Sequence, residues 1–136
     1  MKKKGSVCSF KDEKERALWR AYKAVLGRLH FFDVEEDFVE VVNMPCSRYW
    51  VSEDRCYNVI SKMLCGEDVL FYMHASKREM FEDIYNKVKK EMDENDISLR
   101  DAVFNVVNGG APKFFMSEKY ARRIIYRLKR DALAKS

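Results

Sequence analysis

The sequence predicts an all-α protein of about six helices, built as a tandem duplication of a three-helix unit. The first indication is a repeated phrase: residues 47–61 read SRYWVSEDRCYNVIS and residues 112–126 read PKFFMSEKYARRIIY. The second is that apolar residues recur at the i, i+3, i+4 and i+7 spacing of amphipathic helices in both copies. The third is that only two prolines and five glycines interrupt 136 residues, which favours helices over many short strands.

The first helix of each copy is predicted to be long and amphipathic, at about 13–29 and 77–92. The stretch Ser76–Glu79 has the serine and glutamate of a capping box, in which each side chain satisfies a free backbone N–H of the first turn. Asp12–Glu15 offers a similar start in the first copy.

The second helix of each copy is predicted to begin at Asp33 or at Ser98, since both residues are good N-caps with an acidic residue three positions later. It is predicted to end at Asn43 or Asn108, because a proline or a glycine pair follows within two residues.

The third helix of each copy is predicted to start after Ser52 or Ser117, each of which is followed by a glutamate that suits a helix N-terminus. Three short segments are possible extended pieces, at 47–51, 69–73 and 112–116. The apolar run 69–73 is expected to be buried between the two copies. The paired aromatic residues of the repeated phrase are expected to lie in the core, because large aromatic side chains are mostly well buried: Tyr49, Trp50, Phe114 and Phe115.

These elements predict the domain organisation of the chain. It comprises a basic N-terminal arm at 1–11, a first three-helix unit at 12–64, a linker at 65–75, a second three-helix unit at 76–131 and a tail at 132–136.

Basic residues are concentrated at the C-terminal end of the chain. Residues 113–136 contain 8 basic and 2 acidic side chains, whereas residues 12–64 contain 8 and 10, and residues 65–112 contain 6 and 10. A basic surface of this kind attracts a polyanion.

The outer face of the helix 117–131 is therefore the candidate nucleic-acid-binding site, and duplex DNA is the predicted ligand. Two alternatives are an acidic protein partner and a merely solvated face. Lys2, Lys3 and Lys4 are expected to act as a flexible basic arm. Replacing Arg123 and Arg127 by Glu is expected to leave the fold intact, since both are predicted to point away from the core. The candidate contact residues are Lys113, Lys119, Arg122, Arg123, Tyr126, Arg127, Lys129 and Arg130.

The order of the second and third helices resembles a helix-turn-helix, but about eight residues (109–116) separate them in the second copy, against three or four in the standard turn. A helix-turn-helix-like unit with a longer connection remains open. The phrases MPCSRYWVSE, SKREMFEDIY and GGAPKFFMSE resemble a family of small helical proteins of bacterial and phage-like mobile elements. No activity is assigned to that family, so the resemblance implies a mobile-element context and no mechanism.

No catalytic motif occurs in the sequence, which predicts a protein that is not an enzyme and needs no cofactor. The four cysteines lack the spacing of a zinc site, and the acidic residues near Asp93 lack the spacing of a magnesium site. There is no signal peptide and no run long enough to span a membrane, which predicts a cytoplasmic protein. The alternative function is that of a structural or adaptor protein, which binds other proteins through its acidic middle and its aromatic surfaces.

Overall fold

Six α-helices make up the fold in a computed structural model, which describes the backbone of residues 2–28 and 33–135 and the side chains of residues 11–28 and 33–134. This confirms the predicted all-α class. Within those described ranges no β-strand forms, and the only bridge is an isolated antiparallel one between Cys46 and Ala111, which directly precede two of the possible extended segments. The helices are α1 (Lys2–Leu26), α2 (Val34–Val42), α3 (Glu53–Leu64), α4 (Ala75–Asn95), α5 (Leu99–Val107) and α6 (Glu118–Lys135).

Four helices begin at the polar residues that the sequence predicts as caps. The Asp33 carboxylate accepts the backbone N–H groups of two residues in the first turn of α2. Ser52 and Ser98 each accept one such N–H, at 3.1 Å and 3.2 Å. Ser117 does the same for α6 at 3.1 Å. Corresponding helices, α2 with α5 and α3 with α6, start 65 residues apart, as the repeat requires; the duplication itself stays a prediction.

Three predicted boundaries are wrong. Residues 2–11 of the predicted arm belong to α1, which starts at Lys2, because no proline precedes residue 45 to interrupt the helix. The predicted tail continues α6 to Lys135, since its Ala, Leu and Lys residues favour helix. The capping box at Ser76 does not form: α4 starts at Ala75, two residues earlier than predicted, with His74 as an N-cap that makes no side-chain hydrogen bond.

The helices group into two compact units whose membership differs from the predicted one. One unit contains α1, α2 and α6, and the other contains α3, α4 and α5. The third helix of each predicted copy thus packs with the first two helices of the other copy. The exchange is possible because α3 and α6 present the same kind of buried stripe, with Cys56, Val59 and Ile60 in one and Ala121, Ile124 and Ile125 in the other. Apolar periodicity identifies the buried face of a helix and leaves its partner unspecified.

The α1–α2–α6 unit has a core of aliphatic and aromatic side chains from all three helices. Leu18, Val25 and Val41 are fully buried, together with Ile125 of α6. Phe38 of α2 stacks on Tyr22 of α1 at 5.4 Å between ring centroids and meets Tyr126 of α6 at 6.1 Å. The parallel course of α1 and α6 follows from their contacts, since Lys14 meets Tyr120 and, further along both helices, Tyr22 meets Lys129.

The α3–α4–α5 unit encloses both copies of the repeated aromatic phrase, which confirms that these rings are core residues. The Tyr49 ring stacks on Phe115 at 5.8 Å between centroids, and Trp50 stacks on Phe114 at 6.5 Å. In the repeated phrase Tyr49 corresponds to Phe114 and Trp50 corresponds to Phe115. Each ring therefore stacks on the counterpart of its neighbour, and the two stacked pairs have local twofold symmetry. All four side chains are at most 8% exposed, so they cannot stack on nucleic-acid bases.

The linker segment 65–75 differs from its prediction. Only Leu70 is buried, in the core of the α3–α4–α5 unit. Phe71 and Tyr72 follow in a turn and are 70% and 65% exposed. Gly66, at φ +86°, ends α3 in a left-handed conformation, which turns the chain before the segment begins. The apolar run is therefore not a strand buried between two copies.

Candidate nucleic-acid interface

The exposed side of α6 is fixed by the packing of its opposite side. Ala121, Ile124 and Ile125 are buried in the α1–α2–α6 unit. At about 100° per residue, the line furthest from them carries Lys119, Arg123, Tyr126 and Arg130. All four of these residues are exposed, as the sequence predicts. We call Lys119, Arg123 and Arg130 the α6 cationic face.

The three cations of the α6 cationic face are not neutralised by any residue that the structure describes. Within the described part of the chain, none of them makes a hydrogen bond or an ion pair. No acidic residue occurs between positions 119 and 130. At a rise of about 1.5 Å per residue, the face is about 16 Å long. It therefore presents a row of free positive charge along about three turns of helix.

Arg127 does not belong to this face. Its guanidinium donates a hydrogen bond to the carboxylate of Glu15 in α1 and forms an ion pair with it. The Glu15 side chain is only 13% exposed, and the hydrogen bond to it raises the pKa of Arg127 above its usual value. In contrast to the expectation from the sequence, reversing Arg127 to Glu is expected to destabilise the fold, because two carboxylates would then meet at a poorly hydrated contact.

A double-mutant cycle on Glu15 and Arg127 is expected to give a coupling free energy of about 1 kcal/mol in urea unfolding. We expect a small coupling because the Arg127 side chain is 35% exposed, so water screens its attraction to Glu15. The control pairs Glu15 with Lys62, which occupies the position of Arg127 in the other copy. Lys62 lies on α3, so that coupling should be close to zero. A larger coupling to Lys62 than to Arg127 would contradict the grouping of α6 with α1.

Two further cations of α6 lie against aromatic rings of their own unit. The Arg122 guanidinium lies 6.0 Å from the Phe38 ring centroid, and its Nε is buried without a hydrogen-bond partner among the described residues. Lys129 Nζ donates to the Tyr22 hydroxyl at 2.8 Å and lies 5.6 Å from the Tyr126 ring centroid. Lys129 is nevertheless exposed and can still face a ligand, whereas Arg122 is turned toward α2.

Tyr126 links the exposed line of α6 to the core. Its ring meets Phe38 edge-on at 6.1 Å between centroids, and 40% of its surface is exposed. This contact restricts the ring to one place among the cations. Tyr126 is thus available for a hydrogen bond through its hydroxyl and is not free to insert between bases.

Lys113 is not brought to this site. It belongs to the α3–α4–α5 unit, where its ammonium pairs with the Glu79 carboxylate at 2.7 Å. The side chains of Lys2, Lys3 and Lys4 lie outside the described residues. Sequence reasoning could not find the Arg127 contact, because its partner Glu15 lies 112 positions away. No local signal marks such a pair.

The two units differ in net charge. The segments that contain α1, α2 and α6 hold 16 basic and 10 acidic residues, for a net charge of +6, whereas residues 45–115 hold 10 and 12, for a net charge of −2. Except for Lys113, the basic residues near the C-terminus therefore belong to the unit whose net charge is positive.

Three ionisable side chains of the α3–α4–α5 unit have raised pKa values. Burial raises the pKa of the Cys46 thiol and raises that of Cys56 to about 12, so neither is an activated nucleophile. Burial and a hydrogen bond to Asp83 likewise raise the pKa of the Tyr49 hydroxyl. Among the residues that the structure describes, no cluster of His, Cys, Asp or Glu is arranged to hold a metal ion.

None of the helices in the described ranges is long and apolar enough to cross a membrane. Comparisons with family models, with curated proteins and with solved structures found no match to this chain. The resemblance to proteins of mobile elements therefore stays a prediction.

Proposed function

We propose that this protein binds nucleic acid, with duplex DNA as the ligand, through the α6 cationic face. The observation that supports this proposal is the row of three exposed cations, which have no partner among the described side chains and no acidic residue between them in the sequence. Like charges one turn apart destabilise a helix by about 0.2–0.5 kcal/mol per pair. Such a row lowers the stability of α6, and phosphate binding is the function that offsets the loss.

The chemistry of the face suits phosphates. Arg123 and Arg130 can each donate two parallel hydrogen bonds to a phosphate, and Lys119 supplies a point charge. One DNA strand carries a phosphate about every 3.4 Å along the helix axis, so a face about 16 Å long spans four to five nucleotides. These contacts position the protein on the backbone. No base preference follows from them.

The proposal is tested by fluorescence anisotropy of a labelled 20-base-pair duplex of mixed sequence. Three phosphate contacts give a log–log salt slope of about −3, so the affinity should fall at least about 40-fold between 50 and 200 mM salt. Absence of binding at 50 mM salt, for protein that is folded by circular dichroism, would overturn the proposal.

A second candidate function is the binding of another protein through the turn after α3. Phe71 and Tyr72 are the exposed aromatic pair in this turn, with ring centroids 5.4 Å apart, and exposed Glu67 and Asp68 lie just before them. A partner with an apolar patch beside basic residues would match this surface. Tyr49 and Trp50 cannot contribute to such a surface, since both are buried. A protein that purifies free of nucleic acid, and leaves the labelled duplex unshifted, would favour this second candidate.

A further inference from the structure

A second row of exposed cations lies on α1. Arg16, Arg20 and Lys23 follow one another at i, i+4 and i+7 and therefore share one line of the helix. The buried residues Leu18 and Val25 lie on the opposite side. None of the three cations has a hydrogen bond or an ion pair within the described ranges. We call these residues the α1 cationic face.

The two cationic faces lie at the same level in the same unit. Helices α1 and α6 are parallel, and the contacts Lys14–Tyr120 and Tyr22–Lys129 place residues 14–22 of α1 beside 120–129 of α6. The α1 cationic face therefore runs alongside the α6 cationic face over most of its length. Between them, the Arg127–Glu15 pair neutralises the only carboxylate of α1 that lies at this level.

Acidic residues do not interrupt either row. Residues 16–26 of α1 and 119–130 of α6 contain no Asp or Glu. Asp12 and Glu13 precede the α1 row within one turn of Arg16 and reduce the positive potential there. The strongest part of the α1 face is therefore at Arg20 and Lys23.

We propose that the α1 cationic face contacts the same ligand as the α6 cationic face, so that one surface of two helices binds both strands of a duplex. This inference rests on the proposed function. Packed helix axes lie about 8–10 Å apart, and outward-pointing arginine and lysine side chains separate the two rows further. The two phosphate backbones that border a groove about 12 Å wide can each contact one of the two rows. The backbone of a single strand can follow only one row.

The test measures the salt dependence of duplex binding for the full chain. Six phosphate contacts give a slope of about −5 to −6 for the wild type, and the Arg20→Ala, Lys23→Ala variant should bind with a slope less steep by about 2. Both positions are exposed and alanine favours helix, so the variant should fold as the wild type does. The Lys62→Ala, Lys90→Ala variant removes the same charge from exposed positions of the other unit and should keep the wild-type slope.

The outcomes separate this inference from the function on which it rests. If Arg20→Ala, Lys23→Ala binds with the wild-type slope while Arg123→Ala, Arg130→Ala binds more weakly, the α1 face makes no contact and the proposed function stands. If the wild type does not bind the duplex at 50 mM salt, both this inference and the proposed function are contradicted. The same comparison is made with a single strand of the same length. If Arg20→Ala, Lys23→Ala makes the salt slope less steep for the single strand but not for the duplex, the assignment of a duplex ligand is contradicted.

Discussion

Reversing the charge of Arg123 and Arg130 together, by Arg123→Glu and Arg130→Glu, is expected to weaken duplex binding at least about 100-fold at 100 mM salt. The change removes two attractive phosphate contacts and adds two repulsive ones, each worth about a kcal/mol or more near a polyanion. Both side chains are exposed, and Glu at 123 would lie one turn from Lys119 and from Arg127. Stability should therefore change by less than about 1 kcal/mol.

The matched control reverses Lys62 and Lys90, two exposed lysines of the α3–α4–α5 unit. It changes the net charge of the protein by the same amount and should reduce affinity only slightly, through the long-range field. Equal losses in the two variants would mean that net charge, and not the α6 cationic face, determines binding. Anisotropy with the same labelled duplex measures both.

Replacing Tyr49 by Ala is expected to destabilise the protein by about 3–5 kcal/mol, the range for deleting a large buried ring. Tyr49 is 1% exposed and stacks on Phe115. Its hydroxyl donates to the Asp83 carboxylate and accepts from Lys87 Nζ at 2.6 Å. The substitution therefore opens a cavity where the two copies of the aromatic phrase meet and removes a hydrogen-bonded link to α4. Urea unfolding followed by circular dichroism measures the loss.

Two variants separate the contributions at this position. Tyr49→Phe keeps the stacked ring and loses only the hydroxyl, so it should cost about 1 kcal/mol. Tyr72→Ala deletes a tyrosine that is 65% exposed and should change stability by less than about 0.5 kcal/mol. A loss below 1 kcal/mol for Tyr49→Ala would contradict the placement of this ring in the core.

The fold class and most helix starts could be predicted from local chemistry. Asp33, Ser52, Ser98 and Ser117 each accept a backbone N–H from the first turn of their own helix, so the signal lies within four residues. The grouping of helices could not be predicted in this way. The buried stripes of α3 and α6 are equivalent, and only contacts between residues far apart in sequence decide which helix each one joins.

The candidate site could be predicted only in part, for the same reason. Helical periodicity placed Lys119, Arg123 and Arg130 on the outer line of α6 correctly. It could not show that Arg127 pairs with Glu15, because the partner comes from a helix at the other end of the chain. Lys113 precedes α6 by only a few residues and nevertheless belongs to the other unit. Proximity in sequence therefore overestimated the number of available cations.

Backbone amide chemical shifts of ¹⁵N-labelled protein, recorded during titration with the 20-base-pair duplex, test most directly whether the α6 cationic face is the binding surface. We expect the largest changes at Lys119, Arg123 and Arg130 and in the neighbouring part of α1, with residues 53–107 nearly unchanged. The changes should diminish as salt is raised from 50 to 200 mM, because the contacts are to phosphates. Changes confined to α3, α4 and α5, with those of α6 unaffected at saturating duplex, would contradict the account.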